Sequence, residues 1–117
     1  MRELYKYKAS IEDYIGELKL LAHHLQEEHR EVLEKLEEPV LLLVELPQKV
    51  WAQFLIGPEG IVYTEDPPAV KNKVMVSYRD LMRLVERPSK VLRYVFEGRV
   101  KLQGDYRRIL EALQKLL

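Results

Sequence analysis

The hydrophobic period of this chain changes at Pro39, and no other feature of the sequence constrains the fold as strongly. Upstream, residues 10–38 (SIEDYIGELKLLAHHLQEEHREVLEKLEE) place Ile11, Ile15, Leu18, Ala22, Leu25, Val32 and Leu36 on one seam, with His29 as its polar step. The spacing alternates four and three, which is the period of a helix. Leu20, Leu21 and Leu33 widen the apolar face. Downstream, Val40-Leu41-Leu42-Leu43-Val44-Glu45-Leu46 is almost continuously apolar. So short a run of valine and leucine reads as a central strand covered on both faces. A chain that switches period in this way must lay helices on a sheet.

The flanking signals fill in the order. Ser10 with Asp13 is a capping-box variant, and Pro39 marks the end of the helical pattern. One helix, or two with a break near His23–His24, both fit. Residues 50–56 (VWAQFLI) and 61–65 (IVYTE), joined by the turn sequence GPEG, predict a hairpin. After the loop 66–69, residues 71–77 alternate Val74 and Val76 against Lys73, Met75 and Ser77, a fourth strand. Ser77 with Asp80 opens a short helix bearing Leu81, Met82, Leu84 and Val85, and Pro88 ends it. Ser89 is placed to cap a second short helix, with Val91, Leu92, Val95 and Phe96 on its apolar side. Gly98 suits the left-handed residue that follows a helix. A fifth strand, 99–103, follows. Gly104 allows a sharp turn, and Asp105 caps a last helix with Tyr106, Ile109, Leu110, Leu113, Leu116 and Leu117 on its apolar side. The prediction is an α+β fold: a five-stranded, mostly antiparallel sheet covered on one face by helices. A helical segment, 1–38, precedes an α+β core, 39–117, in a single domain overall.

Composition narrows the function. The chain has no cysteine, which excludes a disulfide framework and a thiolate nucleophile and points to the cytoplasm. Its N-terminus lacks a signal-peptide core, and no apolar run is long enough to span a membrane. Net charge is zero but uneven: residues 1–38 carry six Lys/Arg against ten Asp/Glu, and residues 71–117 carry twelve against five. Either the two ends complement each other, or the basic half meets an anionic partner.

No catalytic constellation is legible. The three serines, Ser10, Ser77 and Ser89, read as caps, and neither a nucleophile elbow nor a phosphate-binding glycine loop is present. His23 pairs with Glu27 and His24 with Glu28 on two helical faces, two ligands each. A closed zinc site needs three or four, which only a dimer through the seam would bring together. No metal, no cofactor and no enzymatic activity are expected. Arg79 and Arg83 share a helical face without interleaved aromatics, so no nucleic acid is expected, and an anionic membrane surface fits them better. The seam of Ile11, Ile15, Leu18, Leu25, Val32 and Leu36 would serve a homodimer or a docked partner. The excess of large apolar side chains builds either a dense core or a lined cavity, and Trp51 and Phe54 are candidate lining residues from strand geometry.

Residues 72–117 (NKVMVSYRDLMRLVERPSKVLRYVFEGRVKLQGDYRRILEALQKLL) resemble the sterol carrier protein-2 family of lipid carriers. Asp80-Leu81 with Leu84 matches the family's D-L-x-x-L helix. Gly98-Arg99-Val100-Lys101-Leu102-Gln103-Gly104-Asp105 matches its glycine-bracketed strand. The upstream order agrees over 39–117. Arg87 stands where the family has a glycine, Val91 where it has a proline, and the N-terminal helical segment is longer. The resemblance implies a non-enzymatic carrier of an apolar lipid, of fatty-acyl, isoprenoid or sterol-like type, held between sheet and helices. It further implies a lining of Leu81, Leu84, Val85, Val95, Phe96, Leu102, Leu110 and Leu113. The other reading of the same fold is an interaction module with a filled cavity.

Overall fold

The computed structural model describes residues 10–117. Its elements are α1 (Ile11–Glu28), α2 (Arg30–Glu34), β1 (Val40–Glu45), β2 (Trp51–Gly57), β3 (Gly60–Tyr63), β4 (Asn72–Ser77), α3 (Tyr78–Glu86), α4 (Val91–Phe96), β5 (Val100–Gln103) and α5 (Tyr106–Leu116), with a 3-10 turn at Pro88–Lys90. The strands form one sheet in the order β3-β2-β1-β4-β5. Three pairings are antiparallel, and β1 runs parallel to β4 with Val44 beside Val76. This is the expected mostly antiparallel α+β sheet.

Register sorts the strand residues into two faces. Val40, Val44, Phe54, Ile56, Ile61, Val74, Val76 and Val100 lie on one, in a single buried cluster with Leu18, Leu33, Leu81, Leu84, Val91, Tyr94, Ile109 and Leu116 from the helices. The opposite face carries Leu41, nearly fully buried, half-buried Leu43, Leu55 and Met75, and the exposed Trp51 and Val62.

Local signals set the helix ends. The Ser10–Asp13 capping box forms in both directions. Ser77 accepts from the Asp80 N–H and Asp105 from the Arg108 N–H. The N-terminal segment is two helices, and the break falls at His29, where the backbone leaves helical geometry, rather than at His23–His24. The seam is used within the chain: Leu18 is buried, and Ile11, Ile15, Leu25, Val32 and Leu36 pack half-buried on the core. Ser89 does not cap. It lies inside the 3-10 turn, and Lys90 precedes α4 without a side-chain cap. Pro88 at the start of that turn closes it by itself, because its ring presets the backbone angle and its missing N–H is not required there.

Two long-range contacts lock the sheet to the helices. Gln26 of α1 accepts the Ile61 N–H of edge strand β3 at 3.0 Å. Asn72, 2% exposed, accepts the Asp105 N–H at 2.9 Å through Oδ1. Gly104 sits against it with φ +109°, and a Cβ there would lie 2.4 Å from that oxygen. Only glycine satisfies both the angle and the approach. Replacing Asn72 by Ala leaves the Asp105 N–H without its acceptor and should lower unfolding free energy by about 1–3 kcal/mol, read as a lower urea midpoint at unchanged slope.

Tyr78 of α3 ties down α1. Its hydroxyl donates to Glu17, and its ring meets Tyr14 edge-on at 4.7 Å between centroids. Burial, then the hydrogen bond to Glu17, pushes its hydroxyl up from 10.0 to about 12. A raised phenol favours the folded state below the unfolded value and loses that advantage as pH climbs toward the folded one. Thermal stability should therefore fall between about pH 10 and pH 12, and Tyr78→Phe should flatten that part of the profile.

Candidate functional site

The sequence places ten side chains as candidate lining, and the fold distributes them over three environments. The space between sheet and helices is almost filled. A cavity of about 50 Å³ remains, lined by Leu18, Leu21, Leu25, Phe54, Leu81 and Leu113 among others. That is room for about a water molecule, not for a lipid chain. Leu84 is buried in the core at 2% exposure, and Val85 is half-buried on α3. Neither lines the interior cavity or the groove described next.

Val95, Phe96, Leu102 and Leu110 come together elsewhere, in an open groove of about 780 Å³ along the outer edge of β5. Leu92, Val95 and Phe96 of α4 form one wall, and Tyr106, Arg107 and Leu110 of α5 the other. Val100 to Gln103 form the floor, with Met75 from β4 beside them. The walls are apolar except for Lys101, Gln103 and Arg107, and no carboxylate lines the space. A cleft of this size, apolar with a few polar groups, is the usual form of a small-molecule site.

Local geometry explains the groove. β5 is the last strand of the sheet, so its outer side has no neighbouring strand. Its two glycines turn the chain at either end. At Gly98, φ is +78°, the Gly98 N–H bonds to the Val95 carbonyl and the Arg99 N–H to the Tyr94 carbonyl at 2.9 Å. That pair of bonds is a Schellman ending, which stops α4 at once and sends the chain into β5. Gly104, with φ +109°, turns the chain from β5 into α5. The two helices therefore stand at opposite ends of a four-residue strand and leave a trough between them.

On α5 the residues Tyr106, Leu110, Leu113 and Leu117 recur at four, three and four, a single helical stripe. Its first two members line the groove and its last two line the small interior cavity. The stripe thus joins the open space to the closed one. Trp51 stands apart from both. It lies three residues from Phe54 in one strand, so the pleat turns it to the opposite face, where it is 44% exposed.

Sequence reasoning omitted Leu92, Lys101, Gln103, Tyr106 and Arg107 from the lining. For Leu92 and Tyr106 the signal was present, since each lies four residues before a candidate, Phe96 and Leu110, on the same helical face. Among the described residues, no group of three or more His, Cys, Asp or Glu side chains converges. His24 and Glu28 pair as a solvated i, i+4 couple.

No protein-family model matches the chain, and no curated protein does. Solved structures do match. The palmitated SCP2L2 of Aedes aegypti superposes with a TM-score of 0.66 at 13% identity, over 92% of this chain and 95% of that one. The sterol carrier protein domain 2 of Helicoverpa armigera gives 0.65 at 18%, over 93% of each chain. Sterol carrier protein-2 of Aedes aegypti, in complex with the C16 fatty acid palmitate, gives 0.61 at 10%, over 79% and 90%. The chain has the sterol carrier protein-2-like fold. Two of these three neighbours were solved with palmitate.

The two spaces make different demands on added volume. Leu110→Trp extends into the open groove and should change stability little. Leu113→Trp forces bulk into a filled interior and should cost about 1–3 kcal/mol. Parallel urea melts of the two variants check the contrast.

Proposed function

We propose that the protein is a non-enzymatic carrier that binds an apolar lipid along the groove bounded by α4, β5 and α5. The observation that carries this reading is the groove itself, with about 780 Å³ of space and apolar walls. The palmitate reported for neighbours of this fold supports the ligand class. A fatty-acyl or isoprenoid chain, or a flat sterol-like body, would gain affinity by leaving water, at roughly 25 cal/mol per Å² of apolar surface buried. Lys101 and Arg107 would hold an acidic headgroup where one is present. Phe54, Leu81 and Leu113, around the interior cavity, would join the site if α5 moved outward along its stripe. Trp51, Leu84 and Val85 would contribute through the frame. A cytoplasmic location fits the absence of cysteine. Exposed Arg79 and Arg83 on α3 would favour an anionic lipid surface.

A second reading, an assembly module of the same fold, draws on the filled interior. It would use the 11–36 segment for a homodimer or a partner, and sedimentation at several concentrations tests it.

Native mass spectrometry of freshly purified protein, followed by solvent extraction, tests the carrier reading. The expected result is a bound species of lipid mass. Leu92→Glu, which puts a charge on an exposed part of the groove wall, should sharply lower uptake of a fluorescent fatty-acid probe while circular dichroism stays unchanged. A bare chain that also refuses the probe would overturn the carrier reading.

A further inference from the structure

We propose that the α4–β5–α5 face docks on an anionic bilayer, with Leu92 and Phe96 entering the headgroup region beside the mouth of the groove. The inference deepens the carrier reading and takes its purpose from it, by naming where the lipid comes from. It starts from α4, which is apolar on two sides. Val91 and Tyr94 face the core, at 2% and 5% exposure. Leu92 and Phe96, four residues apart, share the outward side at 43% and 87%. Phe96 is the most exposed large hydrophobic side chain among the described residues. Tyr106 stands exposed on the facing wall of the same groove. Single exposed apolar residues need no explanation, but three around one apolar trough form a patch.

The charges around the patch are mostly positive, with Glu97, Asp105 and Glu111 as the acids beside its members. From residue 87 to residue 104 the sequence holds Arg87, Lys90, Arg93, Arg99 and Lys101 against Glu97 as the one acid. Glu97 follows Phe96 directly, and two arginines hold it: Arg93 Nε at 2.9 Å and Arg99 Nε at 3.3 Å. These exposed pairs offset its charge at the surface. Arg107 adds a cation on the far wall. An aromatic tip flanked by exposed Lys and Arg is the composition that settles at a membrane–water boundary. The favoured surface is anionic, since each cation near it adds attraction within about a Debye length. Three apolar side chains are few for a specific protein interface, which engages about 20–30 residues a side. They suffice for reversible seating on lipid.

Co-sedimentation of the full chain with vesicles tests the proposal, using phosphatidylcholine alone and phosphatidylcholine mixed with phosphatidylglycerol. The expected result is binding to the mixed vesicles only, weakening as salt rises. Phe96→Ser should lower the partition about tenfold, and Lys101→Glu with Arg107→Glu by at least as much. Phe96 is so exposed that its replacement leaves the core intact, which circular dichroism verifies. In a Trp51→Phe background, Phe96→Trp should show an emission shift to the blue with mixed vesicles and none with neutral ones. Indifference to both vesicle types, undiminished binding of Phe96→Ser, or an unshifted Phe96→Trp spectrum would each overturn the proposal. Self-association that Phe96→Ser removes, without vesicle binding, would assign the face to a second copy instead. The two readings fail separately. Lipid-loaded protein that ignores vesicles removes docking and leaves the carrier, whereas vesicle binding by a chain that never holds lipid removes the carrier and leaves docking.

Discussion

The parallel pairing of β1 with β4 is the constraint on which the rest of the architecture depends. Antiparallel neighbours can be joined by a tight turn, but parallel ones need a crossing connection. Here the whole β2–β3 hairpin and the segment 64–71 lie between the two strands. β3 ends level with Leu42 and β4 begins level with Val40, so that segment must travel back across the sheet. Fixing β4 beside β1 also fixes where β5 goes. It becomes the last strand, and its outer side is left to whatever α4 and α5 place there.

That arrangement divides the apolar side chains between two tasks. Those under α1, α3 and the far half of α5 close the interior almost completely, and a filled interior is where burial returns most stability. Those on the near half of α5 and the outer side of α4 have no partner of comparable size. The short strand and the two glycine turns keep the helices apart, so the trough between them stays open. The division runs through α5 itself, between Leu110 and Leu113.

Much of the fold was legible in the sequence because its signals are local. The period change at Pro39 separates helix from sheet, and Ser10, Ser77 and Asp105 cap as their spacing predicts. Gly98 and Gly104 turn the chain as expected. What was not legible rests on contacts distant in sequence. Nothing in the strand pattern of 71–77 shows that Asn72 will receive the Asp105 N–H, or that Gln26 will reach Ile61 across an intervening hairpin. Ser89 has the right side chain for a cap but follows a proline that starts its own turn. The groove was partly legible for the same reasons. Family resemblance pointed to Val95, Phe96, Leu102 and Leu110, which the groove unites, and also to Leu81 and Leu113, which the filled interior holds. Helical spacing alone cannot tell which side of a two-faced helix meets the core, so Tyr94 passes for an outward residue and Phe96 for an inward one. Trp51 was decidable from pleat parity, because residues three apart in a strand cannot share a face.

The position of the groove has a mechanical consequence. A ligand buried at the centre of a filled core could enter only if helices separated, at the cost of the packing that holds the chain folded. A ligand along β5 would lie instead between α4 and α5, at the last strand of the sheet. α4 is a six-residue helix between a proline turn and a glycine turn. α5 is the last element, held at its start by Asn72 through Asp105 and by Arg108, which pairs with Glu37 at 2.9 Å. Both anchors of α5 lie at its first turn. Among the described residues, its far end is held on the core by apolar contact, through Leu113, Leu116 and Leu117. Apolar contact carries no directional requirement, so a lipid chain can replace it with like surface as the end of the helix shifts. If the groove is the lipid site proposed above, loading and release would need only the far end of the last helix to give, while the five-stranded sheet and its parallel centre stay as they are.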